Sequence, residues 1–268
     1  MTLLEVRYVL AAPLSNTQLA QLGEFANTYG LRKFRLNDAK TELSFEYDAS
    51  RLRETQVERL RLSSVEPMDF SNDLIELMAG SERIAKHVHA PLQSGSAATL
   101  RRMRRRYRPA HYADRIERAR AAMPDGAIGA DVMVGFPGET EAEFDESREF
   151  IAGLPFTYLH VFTYSARPGT PAAAAPGQVP MPVRKERNRI LRELAAEKNL
   201  QFRRSMVGKR LSVVTLEPAG SALSDNYLTV ELPRPEPPNR MMDVEIAGVS
   251  ETGLRATAPG GLRVLSTS

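Results

Sequence analysis

Three stretches of the chain share one pattern, in which a run of apolar, β-branched or aromatic residues breaks into small, polar, glycine or proline residues. They are HVHAPLQSGS at 87–96, DVMVGFPGET at 131–140 and HVFTYSARPGT at 160–170. Buried parallel strands that end at ligand-facing loops have this pattern. The pattern therefore predicts three strands whose following loops form a site.

Strands and helices alternate through the middle of the chain. The pattern predicts strands at 60–65, 84–92, 127–134 and 156–163, and helices at 71–79, 96–107, 111–122, 140–152 and 182–205. This alternation is typical of a parallel sheet with outer helices. Residues 59–205 are therefore predicted to form an α/β domain.

The first 58 residues have a different order of elements. Strands are predicted at 3–12, 31–37 and 41–48, with helices at 15–29 and 51–58. The order β-α-β-β-α is that of a ferredoxin-like α+β unit. Such units often bind metal through a Cys-x-x-Cys loop, but the loop here reads Ala-Ala-Pro-Leu at 11–14. We expect a folded appendage or an interaction module.

The pattern of predicted elements changes again after Gly208, where short strands alternate with turn-rich segments. Strands are predicted at 210–217, 226–233, 241–248 and 253–258. Several short strands at this spacing indicate a small antiparallel β-barrel at 206–268. Barrels of this kind commonly bind nucleic acid through one face and its loops.

Taken together, the motifs resemble those of the radical S-adenosylmethionine methylthiotransferases, which attach a methylthio group to tRNA bases or to a ribosomal-protein aspartate. The three segments are joined by RLRLSSVEPMDF at 59–70, by Met103, Arg105 and Tyr107 in LRRMRRRY, and by NLQFRR at 199–204. SSVEP and HVFTYSARPGT are most similar to the branch acting on N6-threonylcarbamoyladenosine at tRNA position 37. The resemblance implies a partial radical-SAM type (β/α) barrel followed by a TRAM-like β-barrel.

The chain contains no cysteine. The family's catalysis depends on a Cys-x3-Cys-x2-Cys loop that holds a [4Fe-4S] cluster, and on an upstream domain whose three cysteines hold a second one. Iron–sulfur clusters are built on thiolates, which the four histidines do not replace. The resemblance thus implies S-adenosylmethionine and [4Fe-4S] as cofactors in a chain that lacks the cluster ligands and the cluster domain.

We therefore expect a truncated relative that is inactive alone and has no catalytic residue of its own, unless a partner protein supplies the missing cluster domain. Two alternatives stay open, a non-catalytic RNA-binding protein and the remnant of a rearranged gene. No apolar run is long enough for a membrane span and the N-terminus has no signal pattern, so a cytoplasmic protein is expected.

The resemblance places cofactor contacts in the segments that follow the strands. The predicted cofactor-binding residues are Ser63, Ser64, Glu66, Gln93, Ser94, Arg105, Gly135, Pro137, Gly138 and Glu139. Ser63, Ser64 and Glu66 have an alternative role as caps of the helix that begins near residues 69–71. Glu139 has one as a first-turn residue that complements the helix dipole. Gly135 and Gly138 form neither a Walker loop nor a dinucleotide fingerprint.

Arginine and lysine cluster in two places, although the net formal charge is only +3. Residues 101–120 contain nine arginines against Asp114 and Glu117, and residues 184–210 contain ten basic residues against three glutamates. Such clusters suit a phosphate backbone, so tRNA is the predicted partner. The predicted RNA-binding residues are Arg167, Arg203, Arg204, Lys209 and Arg210; the alternative is a solvated basic helix end.

The positions of the histidines in the sequence do not indicate a metal site. His87 and His89 alternate on one predicted strand and so point the same way. Without a carboxylate or cysteine partner they make a poor metal site. Asp131 is interpreted as structural, so no metal site is predicted.

Overall fold

The computed structural model describes residues 3–9, 31–36, 42–48, 65–82 and 84–257, the first three ranges as strand backbone only. The chain divides into two compact units, Met1–Leu60 and Arg61–Ser268. Ser63, Ser64, most of the predicted strand 60–65 and the predicted helices 15–29 and 51–58 lie outside the described residues.

Three strands form the described part of the first unit. They are β1 (Leu3–Val9), β2 (Leu31–Leu36) and β3 (Glu42–Asp48), in the sheet order β1-β3-β2. β3 is antiparallel to both neighbours, so β1 and β2 run parallel to each other. Parallel strands need a crossover of a dozen or more residues, and residues 10–30 are long enough for one. The three predicted strands are confirmed.

A three-stranded parallel sheet lies at the centre of the second unit. Its strands are β4 (His87–His89), β5 (Ala127–Val134) and β6 (Tyr158–Thr163), in the order β4-β5-β6. The parallel sheet predicted from the apolar runs is thus confirmed, although β4 and β6 are shorter than expected. Val65 N–H donates to the His89 carbonyl at 3.0 Å, which places Val65 beside β4 on the side that faces away from β5.

Five helices accompany this sheet in the described residues. They are α1 (Asn72–Gly80), α2 (Ala97–Arg102), α3 (Pro109–Ala122), α4 (Glu141–Gly153) and α5 (Met181–Ser205). α4 begins with a capping box, in which Thr140 and Glu143 satisfy each other's backbone N–H groups. The predicted helix 96–107 is too long, because the backbone at Arg104 turns into the left-handed region with φ 58°.

The C-terminal part is a closed barrel of five short strands. They are β7 (Arg210–Thr215), β8 (Ser221–Ser224), β9 (Thr229–Glu231), β10 (Met241–Val249) and β11 (Leu254–Ala256). β11 pairs with β9 in parallel, so the expectation of a wholly antiparallel barrel is wrong at this pair. The predicted strand 226–233 is reduced to β9, because Tyr227 adopts φ 66° in the turn before it.

The core of the barrel extends beyond the barrel strands. Phe202 and Met206, at the end of α5, pack in one buried cluster with Val213 and Ile246 of the barrel and with Ala127 of β5. Asn226 also donates to the backbone carbonyl of Asp125 at 2.8 Å, which ties the barrel to the start of β5. The barrel therefore packs directly on the end of α5 and the start of β5, and the boundary at residue 205 stays a prediction. None of the described helices is both long and apolar enough to span a membrane.

Candidate functional site

The loops that follow the three parallel strands meet at one edge of the sheet. Gln93 forms a parallel bridge with Val132, and Met133 N–H donates to the Gln93 carbonyl at 2.8 Å. Tyr164 N–H donates to the Val134 carbonyl at 2.9 Å. The carboxyl edge of a parallel sheet is the usual place for a ligand site. The three sequence segments that predicted a shared site are therefore adjacent in space.

The turn at residues 135–138 is filled by the protein itself. Gly135 and Gly138 have φ values of 74° and 79°, which favour glycine. A β-carbon on Gly135 would lie 2.4 Å from Cγ of Arg184. Gly138 N–H donates to the Gly177 carbonyl at 2.8 Å, and Pro137 is buried. These contacts give the glycines a role in packing, and the approach of a cofactor at Gly135, Pro137 and Gly138 stays a prediction.

The carboxylate of Glu139 is buried and fully engaged in holding this turn. Its Oε2 accepts from Gly135 N–H at 2.6 Å and from Arg187 Nη1 at 2.8 Å. Burial raises the pKa of Glu139, against the opposing effects of these two donors. Glu139 precedes Thr140, the N-cap of α4, so it does not lie in the first turn of that helix. Its contacts instead join the β5 turn to α5.

Ser94 lies in a loop that packs on α4. Its Oγ accepts from Ser96 N–H at 3.2 Å, and Ser94 is only 1% exposed. Gly95 N–H donates to Ser147 Oγ at 2.7 Å, and a β-carbon on Gly95 would stand 2.8 Å from Cβ of Phe150. These contacts give Ser94 a role in stabilising the loop, and its contact with a cofactor stays a prediction. Gln93 is half-buried at the sheet edge.

Glu66 and Arg105 come together although they are far apart in the sequence. Glu66 Oε1 lies 3.8 Å from Arg105 Nη1, and both side chains reach solvent. Tyr107 is not part of this pair, because its buried hydroxyl donates to the carbonyls of Pro91 and Leu92. Burial raises the pKa of Tyr107 well above its ordinary value. Of the predicted cofactor contacts in the described residues, Glu66, Gln93 and Arg105 have side chains that stay accessible, and Gly138 is half-buried.

Most of the basic cluster at 203–210 is engaged in intramolecular contacts. Arg203 Nη1 donates to the carbonyls of Ser250 and Glu251, at 2.9 and 3.1 Å. Lys209 pairs with Asp125, and Arg210 Nε lies 3.3 Å from Asp243 Oδ2. Arg204 is exposed. Arg203 therefore clamps α5 to the barrel, which is a structural role that its charge alone did not indicate.

The arginines at 101–108 differ from that cluster. Arg102 pairs with Glu143 at the start of α4, and Arg105 with Glu66. The other four are exposed, and in the described part of the chain no hydrogen bond or ion pair engages their guanidinium groups; they are Arg101, Arg104, Arg106 and Arg108. These four are called the arginine patch below. Arg104, Arg106 and Arg108 neighbour Tyr107 in the chain, and the Tyr107 hydroxyl donates to the carbonyl of Leu92, next to Gln93 at the carboxyl edge of the sheet. Arg167, in the loop after β6, is exposed as well.

One polar cluster was not predicted from the sequence. His89 Nε2 lies 3.1 Å from Asp131 Oδ1, and His160 Nδ1 lies 3.2 Å from the same oxygen. The expectation that the histidines have no carboxylate partner is therefore wrong. A signal was present, since Asp131 and His160 each open one of the three apolar segments and pair directly in the β5–β6 register.

Comparison with known proteins identifies the matched region. The Radical SAM superfamily model matches residues 22–151. The tRNA-2-methylthio-N(6)-dimethylallyladenosine synthase of Parafrankia sp. (strain EAN1pec) is 45% identical over 164 residues, 61% of this chain and 33% of that protein. The same-named protein of Nocardia farcinica (strain IFM 10152) is 44% identical over 164 residues, again 61% and 33%. Coproporphyrinogen III oxidase (HemN) from Escherichia coli, a Radical SAM enzyme, aligns with a TM-score of 0.42 at 20% identity, over 52% of this chain and 31% of that one.

The matched region is thus a Radical SAM domain. More narrowly, the chain is related to the radical S-adenosylmethionine methylthiotransferases, which confirms the family predicted from the motifs. It spans about a third of the length of these curated relatives. Their names refer to dimethylallyladenosine, whereas the motifs had favoured the threonylcarbamoyladenosine branch.

The residues present do not fit the family's cluster. A [4Fe-4S] cluster needs thiolate ligands, and the sequence of 268 residues has no cysteine. The three residues that stay accessible for S-adenosylmethionine offer a carboxylate, an amide and a guanidinium, which suit an amino-acid group of a ligand.

Proposed function

We propose that this chain binds tRNA as the RNA-handling part of a methylthiotransferase-like protein and does not methylthiolate RNA by itself. The observation that carries the proposal is the arginine patch, which is exposed and lies near the carboxyl edge of the parallel sheet. Guanidinium groups bind phosphate oxygens through two parallel hydrogen bonds. A tRNA partner would place this activity in the cytoplasm.

The arginine patch is a better candidate for phosphate binding than residues 203–210, because the basic groups of the latter are mostly engaged within the protein. A guanidinium that already donates to backbone carbonyls, as Arg203 does, must break those bonds before it binds phosphate. The arginine patch carries no such cost. The exposed Arg204 and Arg167 are candidates for additional contacts at the periphery.

The chemical class of the RNA follows from the relatives and the motifs together. The names of the relatives specify an N6-modified adenosine of tRNA, and the threonylcarbamoyladenosine branch favoured by the motifs has the same class of base. We therefore propose a tRNA anticodon stem–loop with an N6-modified adenosine as the ligand. The binding experiment distinguishes the dimethylallyl from the threonylcarbamoyl modification.

RNA binding is tested by fluorescence anisotropy with a labelled tRNA anticodon stem–loop over a series of salt concentrations. A variant with glutamine at all four positions of the arginine patch should bind more weakly. The slope of log affinity against log salt should decrease in magnitude by roughly 0.7 to 0.9 for each phosphate that the variant no longer neutralises. Comparison of the two modified loops with an unmodified one tests the proposed base.

A matched control removes the same number of charges elsewhere. Lys185, Arg192, Arg234 and Arg240 are all exposed, and their joint replacement by glutamine alters the net charge equally. This variant should keep most of the wild-type slope. Equal decreases in both variants would show a general electrostatic effect and would contradict a site at the patch.

A separate experiment tests the proposal that the isolated chain, which lacks cysteine thiolates, does not catalyse methylthiolation. After anaerobic reconstitution with iron and sulfide, we expect no bound [4Fe-4S] cluster by iron counting and visible absorption, and no 5′-deoxyadenosine from S-adenosylmethionine. A partner protein that supplies a cluster in trans would be captured by an anaerobic pull-down. Cluster formation in the isolated chain would contradict the proposal, while a purely RNA-binding protein would bind RNA and capture no such partner.

A further inference from the structure

His89, Asp131 and His160 present three metal-ligating atoms to one point on the parallel sheet. Within the described residues their ligand atoms all lie within 4.8 Å of one another. We propose that this cluster binds a divalent transition-metal ion of the zinc type. The inference goes beyond RNA binding, because it concerns other residues and needs no RNA.

The register of the sheet produces the cluster. Asp131 of β5 is paired with His160 of β6, and His89 of β4 is paired with Gly129, two residues before Asp131. Side chains two residues apart on a strand share a face, so the three groups project from the same side of the sheet. Each ligand thus comes from a different strand, and the backbone hydrogen bonds of the sheet fix their spacing.

The distances approach those required by a bound ion. Zinc binds imidazole nitrogens and carboxylate oxygens at about 2.0–2.2 Å, which puts neighbouring ligand atoms of a tetrahedral site roughly 3.3–3.6 Å apart. Asp131 Oδ1 lies 3.1 Å from His89 Nε2 and 3.2 Å from His160 Nδ1. Both distances are shorter than this spacing by only a few tenths of an ångström. Rotation of the exposed His160 ring can adjust the distance between the two imidazole nitrogens, which is within 4.8 Å.

A tyrosine supports the buried ligand in the way that metal-binding histidines commonly require. The Tyr158 hydroxyl lies 2.9 Å from His89 Nδ1 and 2.7 Å from His87 Nε2. When His89 carries its proton on Nδ1, it donates to that hydroxyl and its Nε2 lone pair faces Asp131. Such an outer hydrogen bond fixes the tautomer and the ring orientation of a ligand histidine.

The ligand set and its exposure define the kind of site. Imidazole and carboxylate together suit zinc and its neighbours in the first transition row. Three protein ligands leave a fourth position of a tetrahedral ion for water. The His160 side chain is 57% exposed, which gives solvent and an incoming ion access, whereas that of His89 is only 7% exposed.

A proton competes with the ion for this site. Without metal, a proton on His89 Nε2 can make the same contact with Asp131. Metal binding requires the unprotonated imidazole, so it releases protons and weakens in acid.

The test is isothermal titration of the full chain with zinc chloride at about pH 7.5, where histidine is largely unprotonated, after removal of metal with a chelator. We expect one ion per chain, and a rise in melting temperature on binding. His160→Ala and Asp131→Asn should each weaken binding at least about tenfold. His111→Ala is the matched control, because His111 is exposed on α3 and outside the cluster, and it should bind as the wild type does.

The exposed position of His160 keeps this test interpretable, because its replacement leaves the core intact. A circular dichroism melt without zinc should give the same midpoint for His160→Ala and His111→Ala. Absence of saturable binding at millimolar zinc would overturn the proposal. Binding that His160→Ala retains, or that His111→Ala weakens equally, would also overturn it and would indicate adventitious histidine contacts.

Discussion

The ring of Tyr158 lies over the backbone of Gly129, so closely that a β-carbon on Gly129 would stand 1.9 Å from Tyr158 Cζ. The two residues are register partners on β5 and β6. Because Gly129 has no side chain, the ring crosses β5 and its hydroxyl reaches His87 and His89. Glycine is thus required at position 129 because the Tyr158 ring packs against its backbone, and not because the backbone is left-handed there.

Gly129→Ala is expected to destabilise the protein by about 1–3 kcal/mol, since the new methyl group must displace the Tyr158 ring. The measurement is chemical denaturation followed by circular dichroism. Gly153→Ala is the control, because a β-carbon at the end of α4 meets nothing within 4 Å. It should leave stability unchanged or raise it. Equal stability of the two variants would contradict the described position of the ring.

Arg187→Met should lower the free energy of unfolding by about 3–5 kcal/mol, because it leaves the buried Glu139 carboxylate without its charged partner. Denaturant titration near neutral pH measures the decrease. Arg189→Met, on the same helix but in exposed pairs with Glu186 and Glu193, should have little effect. If both variants behaved alike, the Glu139–Arg187 pair would not hold the β5 turn.

Protonation of Glu139 should make the free energy of unfolding depend on pH. Burial raises its pKa in the folded state above the ordinary value of 4.5. The folded protein then binds the proton more tightly than the unfolded chain. The stabilising contribution is complete below pH 4.5 and is lost as the pH rises through the raised folded pKa. The stability of the wild type relative to Glu139→Gln should therefore decrease over that range, as measured by denaturation at several pH values. A difference that increases with pH would contradict this prediction.

Arg203→Ala should cost roughly 1–2 kcal/mol of stability, because its guanidinium bonds to Ser250 and Glu251 are partly shielded from solvent. Its neighbour Arg204 is exposed, and Arg204→Ala should unfold at the wild-type midpoint. Thermal melts of the two variants give the comparison. Equal midpoints would indicate that Arg203 is not a clamp and would restore it as a candidate for phosphate contact.

The sequence predicted those elements whose pattern is local. A strand at 127–134 and a helix at 182–205 are predicted because apolar runs and helical periodicity lie within each segment, and the structure gives Ala127–Val134 and Met181–Ser205. The predicted helix 96–107 ran too long for a tertiary reason. Tyr107 leaves the helix so that its hydroxyl can bond to Pro91 and Leu92, which no local pattern indicates.

The candidate site was harder to predict from the sequence. It depends on the pairing register of the strands and on hydrogen-bond acceptors that are far away in the sequence. Asp131 and His160 meet only once β5 and β6 are aligned. Arg203 looked like a phosphate ligand because its carbonyl acceptors lie 47 and 48 residues further along the chain. The four arginines of the arginine patch could be found from charge clustering, but which members of a cluster are engaged elsewhere required the structure.

The core shared by the sheet and the barrel sets an order of events during synthesis. Ala127 begins β5, yet it packs in the same cluster as Leu254 of the last barrel strand. The ribosome must therefore release the whole stretch from β5 to β11 before this cluster is complete. Until β11 emerges, the apolar faces of Phe202 and Met206 lack their final neighbours. Nascent chains that stop short of β11 would expose those faces, and chaperones recognise surfaces of this kind.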